Sequence, residues 1–218
     1  NDNLHVLQPN VQDITSIARI IPEFINNKSV PVGWFYSPMF SPLLEHINFQ
    51  TVVYDCMDDP ASMRGDNHYL IDQEHQLMAH ADIVFTNGKS LYQSKIQHHH
   101  NVHLFPGSVD KSHFSKPPSG SAVPKDMEHI QSPIVGYYGV IDERFDYELV
   151  EQIASARPDW NIVLIGPVVK IDPAILPTHS NIHYLGPKCY EELPLYLAGW
   201  NVAIIPFLIN ESTRFISP

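Results

Sequence analysis

The chain has 218 residues, 44% of them apolar, and carries 13 Lys and Arg against 24 Asp and Glu for a formal charge of −11. That apolar share suffices for a packed core and argues against disorder, while the negative charge repels a phosphate backbone and excludes non-specific nucleic-acid binding. No apolar run approaches the ~18 residues of a membrane span, and Asn1-Asp2-Asn3 lacks the basic and apolar pattern of a signal peptide, so a cytoplasmic protein is expected.

In chain order, Leu4–Gln8, Val30–Tyr36, Thr51–Asp55, Ile83–Thr86 and Val102–Phe105 are short β-branched or aromatic runs of strand length. Between the first two, Ile14, Ile17, Ala18, Ile21 and Ile25 repeat at helical spacing, with Pro22 bending or dividing the helix. Tyr69 to Ala81 places Leu70, Ile71, Leu77, Met78 and Ala81 on one helical face, with Asp72, Gln73, Gln76 and His80 elsewhere. Such alternation predicts a parallel sheet. From Ser115 to Pro133 the periodicity stops and Pro117, Pro118, Ser119, Gly120, Ser121 and Pro124 supply breakers, which predicts a linker over 115–133 between domains at 1–114 and 134–218.

The alternation then restarts, with strands expected at Ile134–Tyr138, Ile162–Ile165, Ile182–Leu185 and Val202–Phe207. Asp146 caps a helix carrying Leu149, Val150 and Ile153 inward, with Glu148 and Glu151 in its first turns, and Tyr190–Ala198 is a second helix interrupted by Pro194. The two cysteines, Cys56 and Cys189, fall in different halves and read as reduced thiols packed as small apolar groups. The absence of a starting methionine, and an end directly after a charged segment, lead to the expectation of a piece of a longer protein.

Four strand ends carry the residues suited to chemistry. Ile134–Tyr138 runs into Gly136-Tyr137-Tyr138-Gly139 and then Arg144, where glycine lets backbone approach an anion and the guanidinium adds a fork of donors. A phosphate site and a tight turn between strand and helix both fit that loop. Gly166, Gly186 with Lys188, and the segment Glu211 to Arg214 follow the other three strands, and ligands of open parallel sheets bind outside the carboxyl ends of the strands. Glu211 suits sugar hydroxyls and Arg214 phosphate, although a solvated charge pair has the same composition. In the first half, Asp55, Asp58 and Asp59 crowd one strand end, fitting either a general base or turn formation and capping. His98-His99-His100 and His103 point in different directions along one chain and predict no metal site, and no spacing suggests a covalent nucleophile.

Taken together, Ala81-Asp82-Ile83-Val84-Phe85-Thr86-Asn87-Gly88, Phe105-Pro106-Gly107-Ser108-Val109-Asp110 with Phe114, the loop from Gly136 to Glu143, Asn181 to Gly186 and Ala198 to Pro206 resemble the family 4 (group 1) glycosyltransferases. The departures are Gly107 and Ser108, where that family has Asn and Gly. The resemblance implies an α/β protein of two Rossmann-like parallel-sheet domains facing across a cleft (GT-B-like), both incomplete here, with little or no turnover in the piece alone. It implies transfer of a sugar from a UDP-, GDP- or dTDP-linked donor to a cell-envelope glycan or lipid-linked acceptor, without a metal or other cofactor. Gly139 and Arg144 become diphosphate contacts and the loops at Gly166 and Gly186 parts of the nucleotide pocket, and Gly136, Lys188 and Arg214 at the same strand ends are read as further nucleotide-sugar contacts. Glu211 becomes an acidic donor-sugar residue. Asp58 is read as a base for the acceptor hydroxyl if configuration is inverted, whereas the family usually retains configuration and then needs no dedicated base. Membrane association would be at most peripheral, at the inner face. Two other readings stay open: a protein related to UDP-galactopyranose mutase, a label that similar genes carry although no Gly-x-Gly-x-x-Gly for FAD follows a strand here, and a non-catalytic GT-B-like binding module.

Overall fold

The structure, a computed structural model, describes residues 4–8, 14–24, 29–62, 68–115 and 122–216. Strands β1 (Ser29–Phe35), β2 (Asn48–Cys56), β3 (Ile83–Thr86) and β4 (Val102–Leu104) form one parallel sheet in the order β1-β2-β3-β4. Strands β5 (Ile134–Tyr138), β6 (Asn161–Ile165), β7 (Ile182–Gly186) and β8 (Val202–Ala203) form a second in the order β7-β6-β5-β8. The described residues divide into two compact units, one built on residues up to Gly107 and from Arg214 on, the other on Ser108–Thr213.

In the first unit, helix α1 (Ser16–Ile20) passes directly into a 3-10 turn at Ile21–Glu23, so the helical stretch is divided at the segment that contains Pro22; Ile25 lies outside the described residues. Helices α2 (His68–His80) and α3 (Lys89–Lys95) and a 3-10 segment at Pro38–Glu45 cover one face of the sheet. There Phe35, Val52, Tyr54, Cys56 and Val84 meet Leu77, Met78 and Leu91. The other face bears a row of rings, in which Trp34 stacks on Phe85 at 5.7 Å and Phe85 meets Phe105 at 5.8 Å. Leu4–Gln8 is not a strand: it joins no ladder, Leu4 is 71% and Val6 77% exposed, and Leu7 packs partly buried against Ile17, Leu43 and Ile47.

In the second unit, α4 (Lys111–Phe114) is capped by Asp110, and α5 (Tyr147–Ala156) by Asp146, whose Oδ1 accepts from the Leu149 N–H at 2.9 Å. The helix turns a different face inward than its apolar residues suggest. Val150 and Ala154, four apart, are buried and Ile153 is half-buried, but Leu149 is 40% exposed. The Tyr190–Ala198 helix is split into a 3-10 turn at Tyr190–Glu192 and α6 (Leu193–Ala198), which places Pro194 in a first turn where its missing N–H costs nothing. Cys189 heads that turn and is exposed, so only Cys56 behaves as a buried apolar thiol. The last strand is two residues long rather than six, since beyond it the Pro206 carbonyl accepts from the Asp146 N–H instead of joining the sheet. Pro117 to Ser121 lie outside the described residues, whereas Met127 and Ile130 are buried with Ile134, Val163 and Tyr196.

Gly136 sits within β5 against the indole of Trp200, and a Cβ there would lie 1.9 Å from the ring. Gly136→Val is therefore expected to displace Trp200 and cost about 2 kcal/mol, measurable as a lowered urea midpoint with unchanged slope.

Candidate functional site

Gly139 and Gly166 directly follow β5 and β6 and Gly186 is the last residue of β7, each with positive φ, +151°, +143° and +68°. They are neighbours in space because their strands are neighbours in the sheet. The Gly139 N–H donates to the Ile165 carbonyl at 2.9 Å and the Gly166 N–H to the Gly186 carbonyl at 3.0 Å. A Cβ on Gly166 would come 1.8 Å from the Gly139 carbonyl oxygen. Past the glycines the ladder resumes at Ile141 and Val168, with the Ile141 N–H donating to Pro167 O and the Val169 N–H to Ile141 O, both at 3.0 Å. The N–H groups of Gly139, Ile141 and Gly166 are thus already donated to backbone. What this edge presents is a stretch of main chain without side chains.

Arg144 stands beside it, held by Asp142: Nε donates to Oδ1 at 2.9 Å and Nη2 to Oδ2 at 2.6 Å. Burial favours the neutral Asp142 acid, but the hydrogen bonds and charge of Arg144 outweigh it and hold the carboxyl below its ordinary value. The guanidinium lies 5.5 Å from the Phe207 ring and is 37% exposed, so one edge is oriented by Asp142 and solvent still reaches the group. Leu208 N–H donates to Arg144 O at 2.8 Å, bringing the chain after β8 alongside this loop. Glu211 is exposed on the following turn, which Asn210 organises by accepting from the Thr213 N–H at 3.2 Å and the Ser212 hydroxyl at 2.6 Å.

The remaining expected contacts are placed differently. Gly136 is inside the strand, under Trp200. Lys188 pairs with Asp126 at 2.7 Å, and Asp126 also accepts from Tyr196 Oη at 2.8 Å. The paired carboxylate raises the Lys188 ammonium, and its partners carry the Asp126 acid below its usual range in spite of burial. Arg214 belongs to the first unit, its guanidinium 5.4 Å from the Phe215 ring. The sequence did not single out an aromatic cluster in the second unit: His113 stacks on Tyr190 at 4.0 Å, and Phe114 stacks on Tyr138 at 6.2 Å.

In the first unit the three aspartates after β2 have separate surroundings. Asp55 accepts from Trp34 Nε1 at 3.1 Å, Asp58 is exposed, and Asp59 is buried. Lys95 Nζ lies 2.8 Å from Asp59 Oδ1 and 2.8 Å from Glu74 Oε2, and Tyr54 Oη donates to Glu74 Oε1 at 2.8 Å. Burial alone would lower the Lys95 ammonium, and Glu74 and Asp59 more than reverse it. Burial raises the Tyr54 hydroxyl and pushes the Cys56 thiol up to about 12, keeping both protonated donors. A separate cavity of about 540 Å³, lined by His46, Gln50, His80 and Asp82, lies at the opposite, amino end of this sheet.

No protein-family model matches the chain. Among curated proteins it is 22% identical over 203 residues to "Putative teichuronic acid biosynthesis glycosyltransferase TuaH" of Bacillus subtilis (strain 168), a match over 85% of this chain and 50% of that protein. Among solved structures it is similar to sucrose-phosphate synthase from Thermosynechococcus elongatus, with TM-score 0.62, 14% identity, and 94% of this chain and 59% of that one covered. HepE of Anabaena, solved in complex with UDP and glucose, gives TM-score 0.63 and 13% identity over 92% of this chain and 58% of that one. The lipopolysaccharide outer core galactosyltransferase WaaB gives 0.53 and 8% over 88% and 53%. These likenesses define the class: an α/β chain with two Rossmann-like parallel sheets, of the GT-B fold. The chain spans about half the length of the curated relative it matches.

Gly166→Ala combines positive φ with a backbone collision and is expected to cost about 2 kcal/mol, lowering the melting temperature by roughly 4–8 °C in calorimetry. Because Asp142 and Asp126 titrate below the ordinary 3.8, their stabilisation is complete above that pH and is lost as pH falls through the depressed values. Urea midpoints should accordingly fall as the pH drops below 3.8, less steeply in Arg144→Gln.

Proposed function

We propose that the protein of which this chain forms a part transfers a sugar from a nucleotide-linked donor to a cell-envelope glycan or lipid-linked acceptor. The observation carrying this is the row Gly139, Gly166 and Gly186 with Arg144 fixed beside it, a strand edge where a diphosphate can approach main chain closely. The fold shared with HepE, a protein solved with UDP-glucose, and the likeness to TuaH support the same reading.

On this reading the donor domain is 134–218 and the acceptor-side domain 1–114, joined by 115–133. Gly139 and Gly166 let the two loops close on each other, Gly186 with open space beside it leaves room for the pyrophosphate, and Arg144, pre-oriented by Asp142, turns its other edge to it. As the bond from the anomeric carbon to oxygen breaks, negative charge grows on the leaving diphosphate, so a fixed guanidinium stabilises the transition state more than the ground state and takes the place of a metal. Gly136 lends its strand's close packing, Glu211 accepts from donor-sugar hydroxyls, Lys188 reaches a phosphate by leaving its pair with Asp126, Arg214 is a further candidate for phosphate, and Asp58 is the base if configuration is inverted. The protein works in the cytoplasm, at most peripheral to the membrane. Among the described residues no helix is long and apolar enough to cross one.

Calorimetric titration with UDP, GDP and dTDP tests the donor site. One of the three should bind, equally well in EDTA. Arg144→Gln should weaken it roughly 10- to 100-fold, the effect of losing a charge-assisted hydrogen bond of about 1.5–3 kcal/mol. Absence of heat with all three would remove the reading.

A further inference from the structure

In the loop that follows β7, Tyr190 is 50% exposed, yet its ring is fixed. The His113 imidazole of α4 lies parallel to it, 8° apart with 4.0 Å between centroids. His113 Nε2 is 2.9 Å from the Tyr190 carbonyl oxygen, which can only accept, so this nitrogen carries the proton and donates. Phe114 meets the Tyr190 ring at 5.6 Å and 89°, and the His113 ring at 4.8 Å. The loop itself is held by the Cys189 N–H, which donates to Glu192 Oε2 at 3.3 Å.

Ring centres 4.0, 4.8 and 5.6 Å apart place Phe114 toward the side of Tyr190 that His113 already covers. The opposite face meets no other ring among the described residues, and the exposure of the residue lies there. A tyrosine that serves only packing turns its faces inward. A ring backed by a second ring, with its free face outward, is a stacking surface whose ordering cost falls on folding instead of on binding.

The place of this surface in the sheet says what stacks on it. The strand ends run β7-β6-β5-β8, about 4.8 Å apart, and ligands of open parallel sheets lie across such ends. Gly186 with its open space closes β7, Arg144 stands past β5, and Glu211 past β8. A nucleotide sugar laid along that order, with diphosphate between Gly186 and Arg144 and sugar toward Glu211, has its base at the β7 end beside Tyr190. We infer that the donor's nucleobase stacks on the free face of Tyr190, and that His113 is the positioning residue that holds this ring. The inference rests on the proposed donor site and extends it to the base. Every base has a π-face, so Tyr190 adds affinity without choosing among bases.

The test is calorimetric titration of the full-length protein with whichever of UDP, GDP and dTDP binds, paired with inorganic pyrophosphate, which has the anion and no base. Tyr190→Ala should weaken the nucleotide about tenfold, within the range for loss of one base–aromatic stack, and leave pyrophosphate affinity unchanged, which also reports an intact fold. Tyr190→Phe keeps the ring and should bind as the wild type does. His113→Ala should weaken the nucleotide about threefold, with recovery in His113→Phe, and a loss that the phenylalanine does not recover overturns the positioning role. Wild-type nucleotide affinity in Tyr190→Ala, or an equal loss of nucleotide and pyrophosphate, overturns the inference and leaves the phosphate site standing. A wild-type protein that binds neither ligand removes the transferase reading, and this inference with it.

Discussion

At Gly166 the main chain passes so close to the Gly139 carbonyl that a single added carbon would overlap it. This contact lets β5 and β6 run in register to their ends and then continue as paired loops, because the two chains can approach without side chains between them. The position of Arg144 depends on it, since the loop that carries Asp142 and Arg144 departs from that junction. So does the course of the chain after β8, whose Leu208 N–H is anchored on the Arg144 carbonyl. A row of missing side chains thus fixes where a charged one stands.

The two units shape their strand ends by opposite means. In the second, the backbones themselves are in close contact and the buried carboxylate of Asp142 is neutralised by a neighbour two residues away. In the first, a lysine and two carboxylates are withdrawn from water together. Burying such a group is weakly stabilising at best, whereas removing one partner costs about 3–5 kcal/mol because a bare charge remains. That asymmetry makes the Lys95 cluster a device for selecting one loop shape more than for adding stability.

The parallel α/β organisation was legible because most of its strands are continuous apolar runs between turn residues, as in β5 and β6, and glycines follow or close three of them. Asp146 was legible as a cap from its place before the helix. Other features depend on partners that one-dimensional spacing does not specify. Glu74 has ordinary helical neighbours and nothing local marks it for burial beside Lys95, 21 residues on. Asp142 lies two residues from Arg144, yet reading the arginine as a donor to an outside anion overlooked the acceptor next to it. Met127 and Ile130 looked like linker residues because proline and serine around them hide two apolar side chains, and Leu4–Gln8 looked like a strand because hydropathy does not show whether an apolar run will join a ladder.

The placement of the three tryptophans gives the molecule optical reporters of its own. Trp34 is the sole indole of the first unit, half exposed, stacked on Phe85 and donating to Asp55. Trp200 belongs to the second, lying flat on Gly136, and Trp160 sits under the Arg157 guanidinium at 4.0 Å. With Trp160 replaced by phenylalanine, acrylamide quenches mainly the red-edge emission of Trp34 and spares the shielded Trp200, so loosening of each sheet can be followed separately in an otherwise unlabelled sample.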